Sequence, residues 1–426
     1  MMRLYENLRE IEDLLAREES KGANVERQVA EILEDVRENG DAALLAYSRR
    51  FDCPHLASTE VLPEEIEAAC ARISPDFMET LRQAKENITA YHEMQLREGF
   101  RMEKADGVIL GQRVMPIEKI GIYVPGGTAS YPSTVLMNAI PAKLAGVKLL
   151  VMVTPAGRDG SIRDEILAAA SLCGVDRIFK IGGAQAIAAL AYGTQSVPKV
   201  YKIVGPGNIY VATAKRMVFG RVSIDMIAGP SEILIVADKA ANARFLAADL
   251  LSQAEHDALA SAVLVTDDRA LALAVQTEVE RQLSVLPRAE IARKSIDVYG
   301  KILLVENIDR AIEIANAIAP EHLELCVEEP FSYLDKVKNA GSVFLGAYTP
   351  EPLGDYFAGP NHTLPTSGTA KFSSPLSVDD FVKKSAYLYY PRQALEKSGQ
   401  RVADFARREG LDAHARSITI RMEGAK

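Results

Sequence analysis

Cysteine is scarce in this sequence, and its spacing excludes two kinds of site. The four cysteines lie far apart and form no C-x-x-C pair: Cys53, Cys70, Cys173 and Cys326. Neither a disulfide framework nor a thiolate metal site is indicated, and we expect buried thiols.

Long apolar runs and basic clusters are also missing. No stretch of about eighteen residues lacks charges, which argues against a membrane span. The net charge is −9 and no Lys/Arg cluster is present, which argues against nucleic acid as the main partner. The first 22 residues have Leu and Ile at helical spacing and lack the features of a signal peptide. We therefore expect a soluble, cytoplasmic protein.

The chain of 426 residues is long enough for two or three domains. Short β-branched runs alternate with Ala/Leu-rich stretches, which is typical of βαβ units. We predict an α/β protein with two Rossmann-like domains that have mainly parallel sheets, one inserted in the other. The predicted parts are an N-terminal helical arm (1–24), a discontinuous domain (25–112 and 231–370), an inserted domain (113–230) and a mostly helical C-terminal tail (371–426).

Glycine-rich loops follow three predicted strands of the inserted domain. They read "VPGG", "IGGAQ" and "VGPGN", and none has the G-x-G-x-x-G fingerprint of a dinucleotide site. Each loop alone is explained by an ordinary turn. Because all three lie at one sheet edge, they favour a non-standard nucleotide crevice, with Tyr123, Gln185 and Asn208 as polar or stacking groups.

Histidine is also rare, and four of the six histidines lie in polar contexts in the second half: His256, His322, His362 and His414. In "SQAEH", Gln253 and His256 share one helix face at positions i and i+3, which lets one helix offer two ligands to one ion. The alternative is a histidine that caps the helix or lies on its surface.

A predicted helix-to-strand junction supplies an acid–base candidate. In "IAPEHLEL", Pro320 ends a helix and a strand follows, so Glu321 and His322 lie at a sheet edge. Adjacent residues point in different directions, so the two groups could serve separate proton transfers. The alternative is a glutamate that caps a turn beside a hydrogen-bonded histidine.

A long Gly/Pro/Ser/Thr segment, Leu353–Ser377, contains Asp355 and His362. Long irregular segments inside compact domains are uncommon and are often functional. A solvated surface loop is the alternative.

Several long motifs together resemble the histidinol dehydrogenase family. They read "IDMIAGPSEILIVAD", "DLLSQAEHD", "APEHLEL", "AGSVFLG", "GDYFAGPNHTLPTSGTAKFSSPLSVDDF" and "EGLDAHARS". The resemblance extends from about residue 25 to the end.

The resemblance implies one zinc ion per subunit, held by Gln253, His256, Asp355 and His414. Two nitrogen and two oxygen ligands suit Zn²⁺ without excluding Mn²⁺ or Co²⁺. Further substrate contacts are implied at Ser231, Glu321, His322, Asp355, His362, Glu409 and His414. The resemblance also implies NAD contacts at Tyr123, Gln185 and Asn208.

The implied reaction is the four-electron oxidation of L-histidinol to L-histidine through L-histidinaldehyde, with two NAD⁺ consumed in turn. His322 is expected to be the general base, neutral near physiological pH, and Glu321 to activate water. Zinc would position the substrate. The family exchanges its C-terminal segment within a homodimer, so Glu409 and His414 are expected to complete the partner's site.

Three other functions were weighed against this one. A zinc hydrolase is disfavoured because "AEHD" lacks the H-E-x-x-H spacing. A non-catalytic dimer stapled by a metal would not need the Glu321–His322 pair. A family relative that oxidises another alcohol, such as a sulfonated diol, is disfavoured by the presence of Glu321, His322 and Glu409 together.

Overall fold

The computed structural model describes residues 2–6, 22–126 and 131–423. It divides into two compact units, the first comprising Met1–Gln95 and Ile117–Phe381, the second Leu96–Pro116 and Val382–Lys426. No helix among the described residues is long and apolar enough to cross a bilayer. All four cysteines are free, and three of them are buried as expected: Cys53, Cys173 and Cys326.

The β-strands, numbered in chain order, are β1 (Arg3–Tyr5), β2 (Phe100–Glu103), β3 (Ile109–Pro116), β4 (Lys119–Tyr123), β5 (Leu149–Thr154), β6 (Arg177–Lys180), β7 (Lys202–Val204), β8 (Ser223–Ile224), β9 (Glu232–Ala237), β10 (Ser261–Thr266), β11 (Lys301–Leu304), β12 (His322–Cys326), β13 (Ser342–Leu345) and β14 (Val382–Tyr389).

The α-helices are α1 (Gly22–Asn39), α2 (Asp41–Phe51), α3 (Pro63–Arg72), α4 (Pro75–Glu93), α5 (Pro132–Leu144), α6 (Asp164–Cys173), α7 (Gly183–Tyr192), α8 (Ile209–Val218), α9 (Ala243–Ala254), α10 (Arg269–Leu283), α11 (Ala289–Tyr299), α12 (Ile308–Ile318), α13 (Phe331–Leu334), α14 (Glu351–Tyr356), α15 (Arg392–Arg408) and α16 (Asp412–Met422). Short 3₁₀ helices span Thr369–Lys371 and Val378–Phe381.

A six-stranded parallel sheet forms one half of the first unit, in the order β1-β11-β10-β9-β12-β13. Its central strands are apolar on both faces, as expected for a parallel sheet covered by helices. Apart from the added edge strand β1, the order reverses between β9 and β12 in the Rossmann manner, which confirms the predicted fold class.

The amino-terminal arm differs from the predicted helix where it can be described. Arg3–Tyr5 is a strand that pairs in parallel with β11, and Met2 is buried in the core of the six-stranded sheet. The rest of the predicted arm falls largely on residues 7–21, which lie outside the described part of the chain. The apolar spacing at the start of the chain indicated a helix and did not indicate this short edge strand.

A five-stranded parallel sheet forms the other half, in the order β6-β5-β4-β7-β8. The order again reverses beside the first strand, between β4 and β7. The backbone just after β7 approaches the end of β4 closely at this point. Gly205 has φ +108°, and a Cβ there would lie 2.2 Å from the Tyr123 carbonyl oxygen, so only glycine fits.

The helices of residues 22–93 pack on the five-stranded sheet, whereas the sequence predicted that residues 25–112 would join the domain of the six-stranded sheet. Val29 and Leu33 of α1 share a core with Val151 of β5. On the opposite face, Leu81 and Ile88 of α4 share a core with the sheet. The physical reason is that both faces of this parallel sheet are apolar and need cover, a demand that the helices' own pattern does not reveal.

The second unit contains a three-stranded antiparallel sheet, β14-β3-β2, and the helix pair α15 and α16. The helices approach closely at Gly399, where a Cβ would lie 2.5 Å from Met422 Sδ. The tail is helical as predicted from residue 392. However, its strand β14 pairs with β3 across the predicted boundary at residue 112, because strand partners distant in sequence leave no local signal.

Candidate active site

The predicted acid–base residues lie at the amino-terminal edge of the six-stranded sheet. Ser231 immediately precedes β9, Glu321 immediately precedes β12, and His322 is the first residue of β12. Gln253 is in the last turn of α9, which runs back to the same edge before β10. Open α/β sheets usually bind ligands at the carboxyl-terminal edge, whereas these residues lie at the opposite edge.

Glu321 and His322 are both buried and are held by the same backbone segment. The Glu232 N–H donates to Glu321 Oε2 at 2.9 Å, and His322 Nδ1 lies 3.0 Å from the Glu232 carbonyl oxygen, to which it donates. This contact fixes the ring tautomer and leaves Nε2 as the second functional atom. Nε2 lies 3.4 Å from Asp355 Oδ1. The pair predicted from the sequence is thus two buried, oriented groups at one edge.

The electrostatic surroundings of His322 differ from the expectation of a neutral ring. Burial by itself lowers the pKa of His322, but the carboxylates of Glu321, Asp355 and Glu351 outweigh it and raise the pKa to about 10. With these three acids charged, the ring therefore holds a proton at neutral pH. The sequence did not indicate this effect, because Asp355 and Glu351 approach His322 from a helix that is distant along the chain.

Burial raises the pKa of Glu321 to about 8, partly offset by the charge of His322 and the hydrogen bond from Glu232. A carboxyl group with a pKa near neutrality can both accept and release a proton at working pH.

Gln253 and His256 come together as the helical spacing predicted. Gln253 Nε2 lies 3.3 Å from His256 Nδ1, although α9 ends at Ala254 and His256 lies two residues beyond. Gln253 is fully buried, yet its Oε1 has no hydrogen-bond partner among the described residues. Partial loss of water around the His256 ring lowers its pKa, and the charge of Asp355 partly offsets this effect. Part of the residue is still accessible to solvent.

Asp355 belongs to the short helix α14, not to the irregular loop in which the sequence placed it. Burial raises the pKa of Asp355, but the contact with His322 and the charges around it lower the pKa to about 2. Asp355 is therefore ionised at any working pH.

Glu351, one helical turn before Asp355, was missed by the sequence analysis. His322, Glu351 and Asp355 offer ligand atoms that lie within 4.8 Å of one another. Glu351 Oε2 accepts from Ser252 Oγ at 2.9 Å, which ties α14 to the last turn of α9. Its i, i+4 spacing to Asp355 was the available signal, but the flanking Pro350 and Pro352 did not suggest a helix.

The first part of the segment after α14, residues 361–366, is largely buried, whereas Phe372 farther along is exposed. Asn361 donates from Nδ2 to the Met137 carbonyl oxygen at 2.6 Å and lies 3.3 Å from His92 Nε2. His362 Nδ1 lies 2.9 Å from the Asp355 carbonyl oxygen, and burial lowers its pKa. These contacts place His362 beside Asp355.

The three glycine loops lie at the carboxyl-terminal edge of the five-stranded sheet, as predicted. Tyr123 ends β4, and its hydroxyl accepts from the Gly183 N–H at the start of α7, at 3.1 Å. Gln185 is buried in the first turn of α7. Asn208 is exposed and caps α8, accepting from the backbone of Tyr210 at 3.0 Å. The structure thus places the three predicted cofactor residues at one edge of the sheet, after β4, β6 and β7.

The two sheet edges meet. Thr134, in the first turn of α5, follows the loop after β4, and its Oγ1 lies 3.4 Å from His362 Nε2. The carboxyl edge of the five-stranded sheet therefore adjoins the amino edge of the six-stranded sheet within one compact unit.

Glu409 and His414 belong to the second unit, where Glu409 follows α15 and His414 lies on α16. Both are exposed. Exposed side chains at the end of a helical hairpin are available for contact with another chain.

The residues present fit a divalent metal ion. The orphaned Gln253 Oε1, the His256 ring and the ionised Asp355 combine oxygen and nitrogen donors of the kind that zinc accepts. A buried amide oxygen without a donor is unfavourable unless a ligand satisfies it. The carboxyl edge of the five-stranded sheet also suits a nucleotide, because open α/β sheets bind ligands where the strand order reverses, here between β4 and β7.

Fold and site together define an α/β enzyme with a buried acid–base pair at one edge of a parallel sheet. Residues 15–422 match the family model for histidinol dehydrogenase. A histidinol dehydrogenase of Bacillus cereus is 58% identical over 399 residues, covering 94% of this chain and 93% of the relative. One of Clostridium acetobutylicum is 54% identical over 412 residues, covering 97% and 96%.

A crystal structure of histidinol dehydrogenase from Elizabethkingia anophelis superposes with a TM-score of 0.94 at 40% identity, covering 99% of this chain and 98% of that chain. The chain belongs to the histidinol dehydrogenase family, a family of oxidoreductases. The resemblance inferred from the sequence motifs is therefore confirmed.

Proposed function

We propose that this protein oxidises L-histidinol to L-histidine through L-histidinaldehyde, with two NAD⁺ as electron acceptors. The observation that carries the proposal is the buried Glu321–His322 pair, held on one backbone segment beside Asp355. A four-electron oxidation of an alcohol needs two kinds of proton transfer, and this arrangement supplies two groups for them.

His322 Nε2 is the atom that takes the hydroxyl proton of the alcohol. Its partner Nδ1 is committed to the Glu232 carbonyl oxygen, so the ring cannot turn away. Glu321, Asp355 and Glu351 favour the protonated ring, Glu321 most strongly, so the base form requires their negative charge to be reduced. A dication held by Asp355 would offset part of that charge. Bound NAD⁺ supplies the hydride acceptor.

Glu321 acts in the second half-reaction. An aldehyde gives up a second hydride only after water has added to its carbonyl carbon. Glu321, with a pKa near neutrality, takes a proton from that water as the C–O bond forms. His322 then takes a proton from the resulting gem-diol. Both groups are buried, which keeps the reactive aldehyde away from bulk solvent.

Gln253, His256, Asp355 and His414 would hold one zinc ion, which when bound offers positions for the imidazole and amine of the substrate and so orients it. Three of the four lie in the first unit around one edge. The orphaned Gln253 Oε1 supports this assignment. Ser231 and His362 lie at the same edge and would contact the substrate.

Tyr123, Gln185 and Asn208 would hold NAD at the carboxyl edge of the five-stranded sheet. That half of the protein is then the cofactor-binding part, and the half built on the six-stranded sheet is the metal- and substrate-binding part. The adjoining edges support direct hydride transfer from the bound substrate to the bound cofactor.

A homodimer would complete the site, with Glu409 and His414 supplied by the partner's tail. The second unit exposes apolar side chains that support the dimer, among them Leu388, Val402 and Phe405. Such side chains commonly mark an interface.

The test is to supply a limiting amount of L-histidinol and excess NAD⁺ to the purified protein and to count NADH with and without a chelator. Two NADH per substrate, lost on metal removal and restored by zinc, support the proposal. One NADH per substrate would exclude the aldehyde step. Oxidation of a sulfonated diol with no activity on histidinol would support the relative that acts on another alcohol.

A further inference from the structure

The five-stranded sheet lacks an acid where dinucleotide folds usually have one. In the Rossmann strand order, β4 is the first strand and β5 the second. A carboxylate near the end of the second strand normally binds the ribose hydroxyls of the adenosine half. Here β5 ends at Thr154 and continues into Pro155 and Ala156, which carry no charge. The usual ribose ligand is therefore absent from its expected place.

A segment from outside the sheet wraps around this edge. Cys53 Sγ donates to the Arg158 carbonyl oxygen at 3.4 Å, and Cys53 and Leu56 pack against Ala156 in one small apolar cluster. Farther along, the Val61 N–H donates to the Ile178 carbonyl oxygen of β6 at 2.9 Å. Residues 52–61 therefore lie along the carboxyl ends of β5 and β6, next to the loop that follows β5.

Asp52 begins this segment, directly after α2. Its Oδ2 is buried and has no hydrogen-bond partner in the described part of the chain. The Ser48 hydroxyl, one turn earlier on the same helix, is likewise buried without a partner. The charge of Asp52 acts on the buried Tyr123 hydroxyl, which places the carboxylate near the predicted cofactor residues. Buried polar atoms without partners are rare in native proteins and indicate a ligand or ordered water.

We propose that the Asp52 carboxylate binds the ribose hydroxyls of the adenosine half of NAD⁺ and discriminates against the 2′-phosphate of NADP⁺. A carboxylate accepts two hydroxyl hydrogen bonds from a diol, and it repels a phosphate at the same position. The acid missing from the end of β5 is thus supplied by the helical layer outside the sheet. This inference rests on the proposed use of NAD.

Direct titration of NAD⁺ and NADP⁺ into the wild-type protein and Asp52→Asn tests the inference, together with steady-state kinetics on histidinol. The amide keeps the shape of the side chain but loses the charge. Asp52→Asn should weaken NAD⁺ binding about 10- to 100-fold, the range expected for hydrogen bonds to a charged group. The KM for NAD⁺ should rise more than kcat falls. The preference for NAD⁺ over NADP⁺ should narrow by a similar factor.

Glu64→Gln is the matched control, because Glu64 is an exposed acid in the first turn of α3, and it should change none of these quantities. A melting curve of each variant without cofactor separates binding from folding, and Asp52→Asn should melt no lower than wild type. Unchanged NAD⁺ affinity, or an equal loss for both cofactors, would overturn the inference. If the wild-type protein binds neither cofactor, the proposed NAD dependence itself fails.

Discussion

Thr134 Oγ1 lies 3.4 Å from His362 Nε2, and this contact joins the two halves of the site. Thr134 follows the loop at the end of β4, where the cofactor is proposed to bind, and His362 hydrogen-bonds to the backbone of Asp355. The proposed cofactor-binding edge therefore adjoins His362 and Asp355 of the proposed substrate site. A hydride acceptor and a proton acceptor can then contact the same substrate.

The assigned roles of Glu321 and His322 predict different losses in the two half-reactions. Glu321→Gln should slow oxidation of L-histidinaldehyde much more than oxidation of L-histidinol, because only the aldehyde step needs activated water. His322→Asn should slow both. Removal of a positioned base typically costs about 10²- to 10⁴-fold in rate. Single-turnover kinetics with each substrate provide the measurement.

Glu329→Gln is a suitable control, since Glu329 is exposed beyond the far end of β12. Equal losses in both steps for Glu321→Gln would remove its assigned role.

Exchange of the C-terminal tail predicts complementation, in the oxidation of L-histidinaldehyde, between two variants that are each impaired in that step. In a mixed dimer of His414→Asn and Glu321→Gln subunits, one site would combine intact Glu321 with an intact His414 from the partner. Random mixing should then restore activity to at most about a quarter of wild type. Mixed and refolded samples should be assayed beside each variant alone. No recovery, with mixed dimers present, would show that each subunit uses its own His414.

A buried ion pair beside Gly205 predicts a large stability effect. Lys215 pairs with Asp225, and both side chains are almost fully buried. Lys215 Nζ also donates to the Gly205 carbonyl oxygen at 2.9 Å, and the Gly205 N–H donates to Asp225 Oδ2 at 2.7 Å. Lys215→Met should lower the free energy of unfolding by about 3–5 kcal/mol, because it leaves a buried charge unpaired.

Denaturant unfolding measures this loss, with Glu34→Gln as the control. Glu34 pairs with Arg37 on an exposed helix face, and such pairs contribute about 0–1 kcal/mol. The double variant Lys215→Met/Asp225→Leu should lose less than the two single variants together. A loss for Lys215→Met as small as that of the control would contradict the buried pairing.

Burial of Asp52 predicts a pH-dependent stability difference. Burial raises the pKa of Asp52 from 3.8 to about 6. The folded protein thus holds this proton more tightly than the unfolded chain, and ionisation of Asp52 destabilises the fold. This destabilisation is absent below about pH 4 and complete above about pH 6. Without cofactor, Asp52→Asn should melt higher than wild type above pH 6 and equally below pH 4. A variant that melts lower than wild type above pH 6 but equally below pH 4 would show that the charge stabilises the fold.

Local patterns predicted much of the fold and part of the site. The βαβ alternation identified both parallel sheets, because buried parallel strands are nearly continuous apolar runs. The i, i+3 spacing of Gln253 and His256 and the junction at Glu321 and His322 identified groups that the fold brings to one edge. These features are local in sequence and therefore readable from it.

Other features depend on contacts that no local pattern encodes. The helices of residues 22–93 could have covered either sheet, and only the packed structure shows which. The strand β14 finds its partner β3 more than two hundred residues earlier. The pKa of His322 is raised by Glu321, Asp355 and Glu351, and the last two reach it from α14, which lies elsewhere in the sequence. The proposed role of Asp52 likewise depends on a sheet edge that lies far from it in sequence.

The central claim is that Gln253, His256 and Asp355 meet His414 of the partner subunit around one divalent cation. The most direct test is an anomalous-difference map at the zinc edge from crystals of the zinc-loaded protein. The account predicts one peak per site, within coordination distance of about 2.0–2.2 Å of these four side chains. A map with no peak among them, or a peak at other residues with Gln253 Oε1 pointing away, would contradict it.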